Sequence, residues 1–393
     1  MKNKILILGG GKWLTPYIIK AKELGLTTYV TDWEENAEGR KFAHHFACID
    51  LKDKEATLEY AKKHSIEAIF TSADIGVPTA AWVAQHLDIQ YHKLELALCA
   101  TDKSRMREKA REINLPIPEF SCETTLTGAI EASNKIGFPV IIKPIDNFSS
   151  RGVAVLNNES ELLQNFDNAI NNSFAGKILI EEFMVGEEGS VEALIQGNEV
   201  HFLGICSKKK SNLPYRYDLR LDYPGHYTSE QFDQIKNFIR DLVQGFEIKQ
   251  GIIHVEFMIA GLDVKLIEFG IRGCGSHVVT KLLPAMLNYD IVEHMVLEAV
   301  GIKKQIVLEH EKFGALQFIM FENGTVKTLT GVAEAKKTEG IIDIDIELAP
   351  GNIISDIKDG RSRPGYILAV ENSNLKMNNS IEKALKNINL VYL

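Results

Sequence analysis

Short apolar runs alternate with helical patterns in the first part of the chain, and this alternation constrains the fold more than any other feature. The predicted strands and helices are, in chain order, 4–8, 14–24, 27–31, 53–64, 67–72 and 77–87. Strands that alternate with helices predict a parallel sheet with helices on both faces, whose ligands bind at the carboxyl ends of the strands. Those ends carry Gly9–Gly11, Asp32 and Ser72–Asp74. We expect this α/β domain to end near residue 98.

A glycine run follows the first predicted strand. Gly9, Gly10 and Gly11 stand between a strand and a helix, where the lack of a side chain lets a ligand approach backbone N–H groups. Asp32 follows at a spacing close to that of an NAD-binding motif, although Leu14 occupies that motif's third glycine position. Three interpretations stay open at this point: a dinucleotide site, a small-substrate site and a tight turn.

Two glutamates are predicted to face each other in a hairpin formed by residues 251–259 and 264–269. A turn centred on Leu262 predicts the pairs Ala260 with Val264, Met258 with Leu266, and Glu256 with Glu268. Like charges directly opposite each other on a sheet repel, and a divalent cation would remove that repulsion. Oxygen ligands favour Mg²⁺ or Mn²⁺, which bind one or two carboxylates together with substrate phosphates. The apolar residues around the pair disfavour the alternative, an exposed hairpin with surface acids.

A lysine and a loop of small residues follow another apolar strand. Lys143 ends this strand, where it is either a solubilising residue or a phosphate ligand. The following Ser149, Ser150, Arg151 and Gly152 offer small side chains and backbone donors, which are typical of a loop that covers phosphates. This loop favours the phosphate-binding interpretation of Lys143.

Composition argues against several classes of protein. The chain has 393 residues with 44 basic and 53 acidic side chains, and its net charge of −9 disfavours general nucleic-acid binding. We find no apolar run of the ~20 residues that a membrane span needs. The five cysteines include no CxxC pair, which indicates reduced thiols and a cytoplasmic location. His44, His45 and Cys48 are disfavoured as a zinc site because no second ligand pair follows at zinc spacing.

In order and spacing, these motifs resemble the ATP-grasp superfamily, and within it the carboxylate–amine ligases that include amino-acid ligases and biotin-carboxylase-like enzymes. The resemblance implies a multidomain α/β and α+β fold. It implies a Rossmann-like pre-ATP-grasp domain over 1–98, an ATP-grasp domain over 99–305 with a nucleotide lid near 115–185, and a small β-rich C-terminal domain over 306–393. It also implies ATP and Mg²⁺ or Mn²⁺ as cofactors, small-molecule carboxylate and amine substrates, and no nucleic-acid or membrane partner. A homodimer is common among proteins that resemble this one.

The resemblance implies roles for single residues as well. Glu256 and Glu268 match metal ligands, Arg272 and Lys143 match catalytic residues, and Glu181 matches a residue near the adenine amino group. The residues implied to contact ATP are Lys103, Ile141, Lys143, Ser149, Ser150, Glu181, Phe183, Met184, Glu188 and Met258. The residues implied to contact the substrate are Gly10, Gly11, His254 and Arg272.

The second metal motif departs from the family pattern Glu-x-Asn-x-Arg. Gly270 replaces the asparagine, so one metal ligand is missing or replaced by water. Arg272 is retained and suits bidentate binding of an acyl phosphate, although a structural ion pair is the alternative. The basic and aromatic segment 208–220 resembles a loop that closes on substrate, although a solvated loop is almost equally well supported.

The implied reaction starts with attack of a substrate carboxylate on the γ-phosphate of ATP, which yields an acyl phosphate and ADP. An amine then attacks, which yields an amide and phosphate, while the protein supplies positioning and charge neutralisation. Two other functions stay open. An NAD-linked oxidoreductase would leave Lys143 and the glutamate pair unexplained, and a nucleotide-binding protein without ligase turnover is suggested by Gly270.

Overall fold

A parallel sheet forms at the start of the chain in the computed structural model, which describes residues 2–147, 151–213, 215–357 and 359–393. Its elements are β1 (Lys4–Leu8), α1 (Thr15–Glu23), β2 (Thr27–Asp32), β3 (His45–Cys48), α2 (Lys54–His64), β4 (Ala68–Phe70), α3 (Val77–Leu87) and α4 (Leu94–Cys99). The strands lie in the order β3-β2-β1-β4, and the apolar residues of β1 are fully buried because both faces of the sheet are covered. The predicted α/β alternation is confirmed, with β4 shorter than predicted.

A small antiparallel sheet follows helix α5 (Lys103–Glu112). Its elements are β5 (Phe120–Glu123), α6 (Leu126–Ile136), β6 (Val140–Pro144), β7 (Ala154–Leu156), α7 (Glu159–Asn171) and β8 (Ile178–Glu182). Val140 and Ile142 pack into a core with α6 and α7. Since side chains alternate along a strand, Ile141 and Lys143 face the opposite side, where they are available to a ligand site.

A larger antiparallel sheet forms the centre of the molecule. Its first elements are β9 (Glu187–Gln196), β10 (Glu199–Lys210), β11 (Asp218–Tyr223), α8 (Ser229–Gly245), β12 (Gln250–Ala260) and β13 (Asp263–Gly270), followed by α9 (Leu283–Leu287) and α10 (Ile291–Ala299). The segment 208–220 was interpreted from sequence as a mobile or solvated loop, but its two ends belong to this sheet: residues 208–210 end β10 and residues 218–220 begin β11, and these strands pair with each other. The prediction of a loop over the whole segment was therefore wrong.

The C-terminal region extends the central sheet. Its elements are β14 (Phe313–Ile319), β15 (Gly324–Thr330), α11 (Val332–Lys336), β16 (Ile341–Ile346), β17 (Ile353–Ile354), β18 (Gly365–Glu371), α12 (Asn374–Asn387) and β19 (Asn389–Tyr392). The eight-stranded sheet runs β13-β12-β9-β10-β11-β14-β18-β16, and β17-β15-β19 form a separate three-stranded sheet. The sheet therefore runs without interruption from the glutamate hairpin to the C-terminal region.

Helix α12 was not predicted from the sequence. Ser373 caps its N-terminus by accepting the backbone N–H of Lys376, and Met377, Ile381 and Ala384 pack one face against β18. Among the described residues, no helix combines the length and the hydropathy that crossing a membrane requires.

Candidate functional site

Strands β12 and β13 place Glu256 directly opposite Glu268, as predicted. The predicted register nearer the turn was wrong, because Ala260 pairs with Asp263 and not with Val264. A bulge beside Glu256 then shifts the register, so that Ile267 has no partner on β12 and the glutamates still meet.

Lysines compensate the charge of both glutamates. The Nζ atom of Lys208 contacts Glu256 Oε1, and the Nζ atom of Lys103 lies 3.0 Å from Glu268 Oε2. Although burial raises the pKa of both carboxyl groups, these lysines hold the pKa values below the usual range. The expected repulsion between the glutamates is thus countered within the protein, and the sequence argument that a cation alone relieves it was incomplete.

The donor set nevertheless fits a divalent cation. Glu256 Oε1 contacts Lys208 and His254, and Glu268 Oε2 contacts Lys103. Within the described residues, Glu256 Oε2 and Glu268 Oε1 accept no hydrogen bond. One such oxygen on each carboxylate, on adjacent strands, suits Mg²⁺ or Mn²⁺.

A buried triad orders the lysine of the small sheet. Glu181 is 1% exposed, and its carboxylate lies 2.5 Å from Lys143 Nζ and 2.7 Å from Arg107 Nε. Burial lowers the pKa of Lys143 even though Glu181 favours its charged form. Both oxygens of Glu181 contact cations, so its side chain holds Lys143 in place, and its contact with adenine stays a prediction.

The small sheet and the central sheet approach each other near Glu188 and Met258, two of the residues predicted to bind ATP. Arg107 donates to the carbonyl of Ile267 at 2.6 Å, next to Glu268. Met258 pairs across β12 and β9 with Glu188, and a side chain at Gly186 would lie 3.2 Å from Met258. The structure thus brings the segment after β8 against Met258.

Other predicted ATP contacts have mixed outcomes. The N–H of Phe183 donates to the carbonyl of Pro139 at 3.3 Å, so this backbone donor is already used. Met184 makes no hydrogen bond with the described residues. Glu188 is mostly buried and binds Lys210 at 2.8 Å. The predicted ligands Ser149 and Ser150 lie outside the described residues.

Arg272 forms a two-point ion pair with Asp74, which follows the last strand of the first sheet. Nε lies 2.8 Å from Asp74 Oδ1, Nη2 lies 2.7 Å from Oδ2, and Nη1 donates to the carbonyl of Gly273 at 3.0 Å. A guanidinium has five N–H donors, and these contacts use three of them. One donor on Nη1 and one on Nη2 remain, and free guanidinium donors of this kind can bind carboxylate or phosphate.

Gly270, which replaces the asparagine, lies beside the same ion pair. A Cβ atom at Gly270 would lie 3.4 Å from Asp74 Oδ1 and 3.6 Å from Arg272 Nε. These distances are ordinary van der Waals contacts, so the position borders the contact between the two sheets.

A buried network holds His254 behind the metal pair. Its Nδ1 atom contacts Glu192, and its Nε2 atom lies 3.3 Å from Glu256 Oε1. Although burial lowers the pKa of His254, the carboxylates raise it to about 9. Glu192 also accepts the N–H of Cys274 at 3.0 Å, so one carboxylate positions both His254 and the loop after Arg272.

The glycine run forms a tight turn. Gly10 donates its N–H to Asp32 Oδ2 at 2.7 Å and accepts the N–H of Gly39 at 2.6 Å, so both of its backbone groups are used. Asp32 also accepts the N–H of Glu34 at 2.9 Å and is 8% exposed, so both of its oxygens serve this turn. The N–H of Gly10 is thus already used, the contact of Gly10 with a substrate stays a prediction, and the space beside Gly11 is open.

A cleft of about 890 Å³ lies beside the glutamate pair and Arg272. It is lined from the first sheet by Trp13 and Asp74, from the central sheet by Glu256, Glu268 and Arg272, and from the C-terminal region by residues that include Tyr366. His44, His45 and Cys48 do not form a ligand group among the described residues; the group whose ligand atoms lie within 4.8 Å of one another is Glu192, His254 and Cys274.

Sequence reasoning missed Arg107, Glu192 and Lys208 as members of the site. Each acts through a partner that is distant along the chain. The signal that was present is a charged residue within an apolar strand pattern, as for Glu192 between Val191 and Ala193.

Comparisons with known proteins agree with this architecture. Residues 136–281 match the ATP-grasp domain, and residues 317–392 match L-amino acid ligase C-terminal domain 2. The structure is similar to that of L-amino acid ligase from Bacillus licheniformis, with a TM-score of 0.87 and 19% identity over 100% of this chain and 99% of that chain. It is also similar to the biotin carboxylase domain of 2-oxoglutarate carboxylase from Hydrogenobacter thermophilus, crystallised with MgADP, with a TM-score of 0.78 and 19% identity over 100% of this chain and 91% of that chain.

A curated relative gives the same picture at the level of sequence. The chain is 24% identical over 360 residues to formate-dependent phosphoribosylglycinamide formyltransferase from Prochlorococcus marinus, which covers 86% of this chain and 87% of the relative.

Proposed function

Because this chain is an ATP-grasp protein with an L-amino acid ligase C-terminal domain, we propose that it joins a small-molecule carboxylate to an amine through an acyl phosphate, with release of ADP and phosphate. We place its domains at 1–98, 99–305 with a lid near 115–185, and 306–393. A cytoplasmic location and a homodimer belong to the same proposal.

One observation carries the proposal. Two carboxylates, Glu256 and Glu268, each with one oxygen that accepts no hydrogen bond from the described residues, line the same cleft as Arg272. A cation site beside a guanidinium with unused donors can bind the outer phosphates of ATP and a second anion together. That pair of anions is what formation of an acyl phosphate requires.

The residues of the chain have distinct tasks in this reaction. Glu256 Oε2 and Glu268 Oε1 would hold Mg²⁺, which supplies neutralisation of the outer phosphates when bound. Lys103 and Lys143, each held by a carboxylate, would neutralise charge on the phosphates. Arg272 stabilises charge on the acyl phosphate, and the amine displaces phosphate from the acyl carbon. Gly11 and His254 remain proposed substrate contacts.

The experiment is a screen for ADP release with Mg²⁺ and ATP against amino acids and small carboxylates. We expect ADP and phosphate to appear only with a matching acid and amine. AMP and pyrophosphate as products would overturn the proposal, and ATP binding without substrate-dependent turnover would support the nucleotide-binding alternative.

A further inference from the structure

We propose that one of the two substrates carries an aromatic side chain and that Trp13 binds it. This inference rests on the proposed function and names the substrate class of the same cleft. It assigns Trp13, in the turn after β1, as a specificity-determining residue.

Aromatic rings from separate parts of the chain form one wall of the cleft. The ring centroids of Trp13 and His277 lie 4.8 Å apart at 64°, and those of Trp13 and Tyr366 lie 6.3 Å apart. Phe318 of β14 lines the same cleft and is 5% exposed. The edge contact with His277 holds the indole in one orientation, so a ligand does not have to order it.

Trp13 differs from these neighbours in exposure. Its exposed fraction is 41%, whereas His277, Phe318 and Tyr366 are each below one tenth. Trp13 is also the most exposed aromatic residue among those that line the cleft. An apolar ring exposed within a cleft, next to catalytic candidates, indicates a surface that a ligand covers.

Two basic side chains beside this wall, Lys12 and Arg363, already contact other groups of the protein. Lys12 contacts Asp345 and Glu347, and Arg363 lies 3.4 Å from the centroid of Phe318 and donates to the carbonyl of Asp218 at 2.9 Å. Lys12 Nζ lies 5.4 Å from the centroid of the Trp13 ring, so the surface that Trp13 offers to a ligand is the part of the indole that stays exposed beside Lys12. An aromatic substrate suits it because offset-stacked and edge-to-face ring pairs add to the burial of apolar area.

Arg361 favours a different substrate class, one with an acidic side chain. It lies at the rim of the same cleft and is exposed, so a substrate with an acidic side chain would pair with it. Binding of L-glutamate that is lost in Arg361→Ala would thus contradict the aromatic assignment.

The test is calorimetric titration of the full chain with L-phenylalanine, L-alanine and L-glutamate in the presence of Mg²⁺ and a non-hydrolysable ATP analogue. We expect L-phenylalanine to bind tightest, and Trp13→Ala to weaken its binding by at least about tenfold. Trp33→Ala is the matched control, because Trp33 is 49% exposed and does not line the cleft. It should leave binding unchanged.

Each remaining outcome decides the question. If L-phenylalanine binds no better than L-alanine, or binds equally well to Trp13→Ala, the aromatic subsite is wrong, even where ADP release with other substrates supports the ligase. If L-phenylalanine binding depends on Trp13 but no amine yields ADP, the subsite stands and the ligase function fails.

Discussion

Replacing Arg272 with alanine should have two separable effects, because Arg272 both offers two donors to the cleft and neutralises Asp74. Loss of donors to a developing negative charge typically lowers the rate by ~10²–10³. We therefore expect turnover to fall by at least this factor while the affinity for ATP stays the same. Arg272→Lys keeps the charge but loses the fork, so it should be impaired as well.

The second effect is a loss of stability. Removing one partner of a buried ion pair costs roughly 3–5 kcal/mol, and we expect about 3 kcal/mol here, because the side chains of Arg272 and Asp74 stay 19% and 15% exposed. The double variant Asp74→Ala/Arg272→Ala leaves no unpaired charge. It should therefore recover most of the stability and none of the turnover.

The assay measures chemical denaturation, ADP release and ATP binding for four proteins: wild type, Arg272→Ala, Asp74→Ala and the double variant. Recovery of turnover in the double variant would show that Arg272→Ala is inactive only because it is unstable. A loss of ATP affinity as large as the loss of turnover would instead make Arg272 a nucleotide ligand.

Three further predictions concern single carboxyl groups. Glu256→Gln should abolish ADP release. It should also lower the melting temperature, because Lys208, whose side chain is 2% exposed, loses its nearest carboxylate. A raised melting temperature would show instead that repulsion between the two glutamates dominates. Glu181→Gln should lower the free energy of unfolding by about 3–5 kcal/mol in chemical denaturation, because two buried cations lose their anion. Glu182 forms a surface ion pair, so Glu182→Gln should change the free energy of unfolding by no more than about 0.5 kcal/mol. Equal effects of the two substitutions would refute the role of the triad. Burial outweighs the hydrogen bond from Gly251 and raises the pKa of Glu298 from 4.5 to about 7, so the folded state binds the proton more tightly and loses stability as the pH rises between these values. Glu298→Gln should therefore raise the melting temperature at about pH 8 and not below about pH 4.5, and the same gain at both would contradict this assignment.

Local patterns predicted most elements of the fold and the facing of the two glutamates. The alternation in the first part of the chain and the hairpin that carries Glu256 and Glu268 depend on period and turn chemistry, which adjacent residues encode. Even the error in register near Leu262 left the glutamates opposite each other, because a bulge compensates for the shorter turn.

Partners that come from distant segments could not be predicted in the same way. Asp74 was noted only as a residue at a strand end, and its pairing with Arg272 depends on how the first sheet packs on the central one. The compensation of Glu256 by Lys208 likewise follows from strand order, which the spacing of residues along the chain does not encode. The sequence therefore indicates which residues carry the chemistry, whereas the fold determines which of their atoms remain free.

The transfer of a carboxylate oxygen to phosphate tests the central claim most directly. With a carboxylate substrate labelled with ¹⁸O in both oxygens, attack on the γ-phosphate makes one labelled oxygen the bridge of the acyl phosphate. Attack of the amine then breaks the bond between the acyl carbon and that oxygen. Mass spectrometry should find one ¹⁸O atom in the released phosphate for each amide formed. Amide formation with unlabelled phosphate, or with AMP and pyrophosphate as products, would contradict the account.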